Sequence, residues 1–238
     1  MSDKDKSPMG ILFLVVLVDM IGFTIVIPFL TYFVQDLATA DGITDVGSRD
    51  LWVGIVISVY SLAQFIFTPI LGSLSDKVGR RPILMFGLIS NTIFFTVFGL
   101  SGSLTMAVVA RFLAGAGNGN IAVARAYIGD ISEPQQVAKR MGMIGAAFGL
   151  GFMIGPFIGG VLSDPSESIG APFEGQIWID HPYLLPCLFS SALSLISFIL
   201  AITRLPESLP EENRRTSEDS ILEEFGGMFR KISGVMKL

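Results

Sequence analysis

Long apolar runs alternate with short polar ones along the chain, and the runs share one length. Apolar residues fill Met9–Phe33, Leu51–Leu74, Pro82–Gly102, Leu104–Ile128, Met141–Leu162 and Tyr183–Ile202. Each run reaches the roughly 20 residues that carry a helix across a bilayer core of about 30 Å. Within lipid every backbone N–H and C=O must be paired inside the protein, and a helix pairs them within one segment. The pattern predicts an all-α membrane protein whose six transmembrane helices occupy residues 9–204, behind a short polar tail, residues 1–8. Only the Gly102–Ser103 region separates the third and fourth runs, which predicts a tight helical hairpin. The first run follows Lys4 and Lys6, as a signal peptide would. It is too long for a signal's apolar core, carries Asp19 and lacks a small-residue cleavage site.

After Arg204 the chain turns charged and rich in Pro and Glu. Ser220 followed by Glu223 has the spacing of a capping box. Ile221, Leu222, Phe225, Met228, Phe229, Ile232 and Val235 then recur at helical spacing, predicting an amphipathic helix on the membrane surface. Residues 205–238 are therefore expected to begin a cytoplasmic linker, with no cap or polar tail closing it at Leu238.

Composition strengthens this picture and charge orients it. Charged residues make up 16% of the chain, against about 25% in a soluble domain. Of the 16 Lys and Arg, Arg111 and Arg125 lie inside the fourth run, and Arg49 alone lies in a loop of one side. All the others fall at the tails and in the 2–3 and 4–5 loops, which the excess of positive charge assigns to the cytoplasm. The opposite loops carry Asp36, Asp41, Asp45, Asp50, Asp164, Glu167, Glu174 and Asp180. An even number of spans likewise puts both termini on one side. The single Cys187 and single His181 offer no metal spacing, and no phosphate-cradling Gly-x4-Gly-Lys run is present. No cofactor, metal, catalytic activity or nucleic-acid partner is expected.

Several polar positions stand out against the apolar background. Asp19 is the one acid well inside the membrane, about ten residues or roughly 15 Å into the first helix. Arg111 in the fourth helix reaches a similar depth, so an ion pair or a protonation switch beside an arginine follows. Arg111, Asn118 and Arg125 are spaced by sevens and share a face that must meet protein or water, although Arg125 could also snorkel to the interface. Ser61, Gln64 and Thr68 form a lesser polar stripe on the second helix, placed to touch a substrate or to hydrogen-bond a neighbouring helix. On the fifth, Gly142, Gly145, Gly149, Pro156 and Gly159 make a stripe nearly free of side chains, suited to close packing or to a sliding interface. Between the second and third helices, Gly79 permits a reversal and Pro82 suits the next first turn. Asp76 sits at the helix end whose dipole disfavours an acid, and so needs a partner.

Gly72-Ser-Leu-Ser-Asp76-Lys77-Val-Gly79-Arg80-Arg81 resembles the signature loop of the major facilitator superfamily. Arg111-Phe-Leu-Ala-Gly115-Ala-Gly117 is similar to that family's fourth-helix motif, with Ala114 where Gln is usual. Gly145, Gly149, Gly151 and Gly155-Pro156-Phe-Ile-Gly159-Gly160 resemble the Gly/Pro motif of its drug–proton antiporter branch. Asp19-x-x-Gly22 with Pro28, and Ala-Tyr127-Ile-Gly-Asp130, resemble the tetracycline-efflux type, while Arg125 stands where that branch usually has a small residue. The resemblance implies the N-terminal six-helix bundle of the fold, two three-helix repeats with helices 1 and 4 lining a cavity. It implies proton-coupled export of a small organic, amphiphilic compound by alternating access, with a C-terminal six-helix half, the lipid bilayer, protons and the small-molecule substrate as partners. Asp19 and Arg111 are then expected to couple protons, and Ser61, Gln64, Asn118 and Arg125 to line the cavity. Gly145, Gly149, Gly155, Pro156 and Gly159 are expected to form a helix interface. Asp76, Arg80, Arg81 and Asp130 are expected to form a charge lock, with Arg80 on Asp130, joined by Arg81, and Asp76 on a helix N-terminus of the other half. The rivals are an uptake symporter or facilitator of the same fold, and a truncated membrane protein that transports nothing.

Overall fold

Pro28 cannot return an N–H to the Thr24 carbonyl, and its ring crowds that oxygen, so the first apolar run cannot be one straight helix. Accordingly α1 (Asp3–Ile25) stops and α2 (Ile27–Ala40) restarts across Val26, with Pro28 in the new first turn. α3 (Val46–Val78) starts on Asp45, whose carboxylate accepts from Ser48 N at 2.8 Å and Ser48 Oγ at 2.9 Å. Those bonds, the backbone one foremost, hold the Asp45 carboxyl below the usual carboxylate range. α3 ends at Gly79, whose φ of +116° a side chain would strain, and α4 (Arg80–Gly99) follows at once. α5 (Leu104–Gly117) starts on Ser103, and Asp41 Oδ2 accepts from Leu104 N at 2.9 Å. α6 (Asn120–Ile131), α7 (Pro134–Leu162), α8 (Gln176–Asp180) and α9 (Leu184–Arg204) complete the helices of the described residues, and a 3-10 turn spans Glu211–Asn213. The computed structural model describes residues 3–163 and 176–214, so the amphipathic helix expected after Ser220 falls outside them.

Among the described residues, six helical stretches are long and apolar enough to cross a membrane, as the hydropathy pattern predicts. The fourth departs from it. The expected continuous helix over Leu104–Ile128 is divided into α5 and α6 at Asn118, whose φ of −93° and ψ of 82° leave the helical region. Gly119, the next residue, carries no side chain, and a Cβ there would meet Leu71 at 2.8 Å.

Small residues set how closely the helices approach. α7 lies on α1 through Gly151, Gly155 and Gly159, four residues apart, where an added Cβ would collide with Met20, Thr24 and the Ile25 carbonyl respectively. Thr24 Oγ1 lies 2.9 Å from Gly151 O, which fixes the register of that contact. The single smooth face expected of the Gly/Pro stripe is therefore two faces. Gly155 and Gly159 serve α1, whereas Gly145 and Gly149 have open space where a Cβ would stand. Pro156 is half-buried between them.

Two apolar cores form, one toward each end of the bundle. One gathers Leu12, Val16, Leu84, Leu88, Val123 and Tyr127, the other Phe29, Phe33, Val34, Phe98, Ala107 and Cys187. Along α1, α4, the α5–α6 pair and α9, the buried polar residues Asp19, Ser90, Asn91, Asn118, Asn120 and Ser190 lie in sequence between members of the two cores. That polar layer at mid-span is the first part of the site.

Candidate functional site

Asp19 is 2% exposed, and its environment is amide rather than cationic. Asp19 Oδ1 accepts from Asn91 Nδ2 at 2.8 Å and from Asn120 Nδ2 at 3.2 Å. Asp19 Oδ2, Asn91 Oδ1 and Asn120 Oδ1 are buried without a hydrogen-bond partner among the described residues. Asn120 opens α6, so the break at Asn118 delivers an amide to the carboxylate that a continuous helix would carry elsewhere. Neither asparagine was singled out from the sequence. The available signals were a lone amide in the apolar third span and the repeat Gly117-Asn118-Gly119-Asn120.

The ion pair expected between Asp19 and Arg111 does not form. Arg111 instead lies with its Cζ 4.2 Å from the Phe98 ring centroid and 5.7 Å from that of Tyr60. The reason is depth. Arg111 precedes Asn120 by about nine residues of the same span, roughly 13 Å at 1.5 Å per residue, and Asn120 is what touches Asp19. Nε and Nη2 of Arg111 have no hydrogen-bond partner among the described residues.

Beside this layer opens a cleft of about 540 Å³. α1 contributes Phe23, α3 Tyr60, Ser61, Gln64 and Thr68, α6 Arg125, and α7 Phe148 and Phe152. Ser61, Gln64 and Arg125, predicted from the sequence, thus share one cavity. Asn118 does not line it. Its Nδ2 donates to the Tyr60 hydroxyl at 2.9 Å, and its carbonyl accepts from Gln64 Nε2 at 3.4 Å, so it braces two residues that do. A smaller cleft of about 280 Å³, which shares Phe23 and Tyr60 with the first, reaches Arg111. The aromatic wall was not predicted, because large apolar residues in a membrane span carry no mark of which face they occupy.

At the basic end, Arg80 joins three elements. Its Nε is 3.0 Å from Asp130 Oδ2 at the end of α6, its Nη1 is 2.5 Å from Asp76 Oδ1, and Nη1 also donates to Ser75 Oγ at 2.7 Å. The predicted Arg80–Asp130 contact is present. Two parts of that expectation are corrected. Asp76 is paired inside the chain, because one turn of helix and the Gly79 reversal bring it onto Arg80. Arg81 does not join Asp130; its Nη2 donates to Ile202 O at 2.6 Å, on the last turn of α9 where exposed carbonyls favour a cation. Glu207, read from the sequence as linker, accepts from the backbone N–H groups of Arg80 at 2.8 Å and Arg81 at 3.2 Å. It satisfies two of the open donors at the α4 N-terminus. Ser208 Oγ donates to Asp130 Oδ2 at 3.0 Å, closing the network.

Residues 12–234 match the model of the family described as the Major Facilitator Superfamily. The chain belongs to that superfamily. Protein Zinc Induced Facilitator-Like 1 of Arabidopsis thaliana is 31% identical over 195 residues, which are 81% of this chain and 39% of that protein. Tetracycline resistance protein, class C, of Escherichia coli is 33% identical over 170 residues, 71% of this chain and 41% of its own. The chain thus spans about two fifths of the length of these superfamily relatives. A crystal structure of a bacterial homolog of the human lysosomal transporter Spinster superposes with a TM-score of 0.73 over 98% of this chain and 50% of that one, at 17% identity. At that identity it shows the fold. This is a multi-pass membrane protein of a transporter family.

Proposed function

We propose that the chain supplies one six-helix half of a proton-coupled exporter of small organic, amphiphilic compounds working by alternating access, its basic end in the cytoplasm. The observation that carries the reading is Asp19, an acid buried at mid-span, held by two amides and by no cation, with one oxygen free of donors. Intramembrane acids are expensive and mark ion paths. A proton placed on Oδ2 neutralises the carboxyl, and the resulting O–H can donate a hydrogen bond to an unpartnered amide oxygen of the same layer. Loss of that proton leaves a charge that must be solvated by rearranging Asn91, Asn120 or the cleft. The relative named for tetracycline resistance supports export as the direction. The exposed apolar faces of α3 and α7, with Phe65, Phe157 and Met153 most exposed, support a second half packed against them. The Arg80 network at the basic end would hold one conformation of the cycle.

The test uses the complete open reading frame that carries this chain, in inverted membrane vesicles energised by a pH gradient. Asp19→Asn is expected to abolish gradient-driven accumulation of any transported compound while leaving the protein inserted and monodisperse. Near-normal accumulation by that variant would refute the assignment. The relative named a facilitator favours uptake as a second reading, which accumulation only in right-side-out vesicles would establish.

A further inference from the structure

Among the described residues, the charged groups that face the two clefts are arginines alone. Arg125 stands exposed in the larger cleft, and the smaller one ends on Arg111. Among the described residues, no Asp or Glu lines either. Asp19, the acid at this level, is 2% exposed, its Oδ1 is held by Asn91 and Asn120, and it is not among the residues that line the cleft. Arg125 makes no ion pair or hydrogen bond with the described residues, and Met141, Ile144 and Phe148 flank it on its other side. Arg111 likewise has two nitrogens without an acceptor. A guanidinium on a mostly apolar wall is met by water or by an anion, and its planar fork suits a carboxylate or sulfonate.

From this arrangement we infer that the cleft recognises an amphiphilic organic anion: an aromatic body against Phe23, Phe148 and Phe152, and a single negative head group on Arg125. The inference rests on the proposed transport role and adds two things to it. It gives the substrate's charge, and it separates the substrate site from the proton site. Ser61, Gln64 and Thr68, on the facing wall of α3, would hydrogen-bond the head group's remaining oxygens or a polar substituent.

Binding measured by calorimetry in detergent, without a gradient, tests recognition apart from coupling. The protein is expressed from the complete reading frame, and the probes are three naphthalenes of similar shape: 2-naphthalenesulfonate, 2-naphthalenesulfonamide and a 2-naphthylmethyl trimethylammonium. The sulfonate is expected to bind most tightly. Arg125→Gln is expected to weaken it about tenfold or more, equivalent to about 1.4 kcal/mol, while shifting the neutral sulfonamide less than about threefold. Arg125→Lys, which keeps the charge but not the fork and controls for folding, is expected to bind the sulfonate more tightly than Arg125→Gln and more weakly than wild type. The inference is overturned if the ammonium or the sulfonamide binds as well as the sulfonate, if Arg125→Gln leaves the sulfonate unchanged, or if wild type shows no saturable sulfonate binding. A failure of Asp19→Asn to block gradient-driven transport would overturn the coupling reading and leave this one standing.

Discussion

Gly159→Ala places one methyl group where α7 meets the backbone of α1 most tightly. The new carbon would fall on the carbonyl oxygen of Ile25, a backbone atom that cannot turn aside as a flexible side chain would. Ile25 is fully buried and Val26 is 3% exposed, so the local chain has no free volume to enter. Relief requires α1 and α7 to separate by more than about 1 Å there, a gap that forfeits a quarter to a half of each affected dispersion contact. Overpacking of this kind costs about 1–3 kcal/mol. In a protein of this size that lowers the melting temperature by roughly 3–10 °C. Gly145→Ala is the internal control, because its added carbon meets nothing within 4 Å and the change to alanine favours the helix by about 0.5–1 kcal/mol. Fluorescence-detected size-exclusion melts of detergent-solubilised protein read both. Gly159→Ala melting at or above wild type, or Gly145→Ala falling as far as Gly159→Ala, would show that the two-faced reading of the glycine stripe is wrong.

The charge network and the orientation give two further tests. Arg80→Ala and Asp130→Ala should each impair transport and couple in a double-mutant cycle by about 1 kcal/mol or more, since Arg80 is only 9% exposed at its side chain and its bond to Asp130 is charge-assisted; simple additivity would remove the pair from the mechanism. With the single native thiol, Cys187, fully buried, Thr44→Cys should react with an impermeant maleimide from outside intact cells and Lys139→Cys only after permeabilisation, and the reverse pattern would invert the proposed topology.

Residues whose role is dictated by the solvent were legible in the sequence. Apolar runs of bilayer length announce themselves, and the reversal at Gly79 follows from its neighbours. The Arg80–Asp130 contact was legible only through the resemblance, because nothing in the spacing of two residues so far apart brings them together. The partners of Asp19 were not legible at all. Arg111 and Asn120 both lie on the fourth span, and choosing between them required the backbone break at Asn118, which no periodicity encodes. Glu207 was missed for a different reason. It lies in a Pro- and Glu-rich stretch whose composition reads as solvated, yet Tyr127 Oη donates to Pro206 O at 2.6 Å and the strand of chain is pulled under α4. The glycines of α7 announced close packing but not the two directions it takes, since the neighbouring helix decides which side is covered.

α6 is 12 residues long and uninterrupted. Its first residue grips the Asp19 carboxylate and its last turn holds Arg80 through Asp130, with Arg125 roughly midway. In the proposed cycle it would act as a lever pivoting at the helix break. A tilt of about ten degrees at Asn120 sweeps Asp130, some 15 Å away, through roughly 3 Å. That displacement equals the length of the bond it would break. No loop lies between the two ends to absorb such a motion, so in the proposed cycle titrating the carboxyl and opening the Arg80 contact would be the two ends of one stroke.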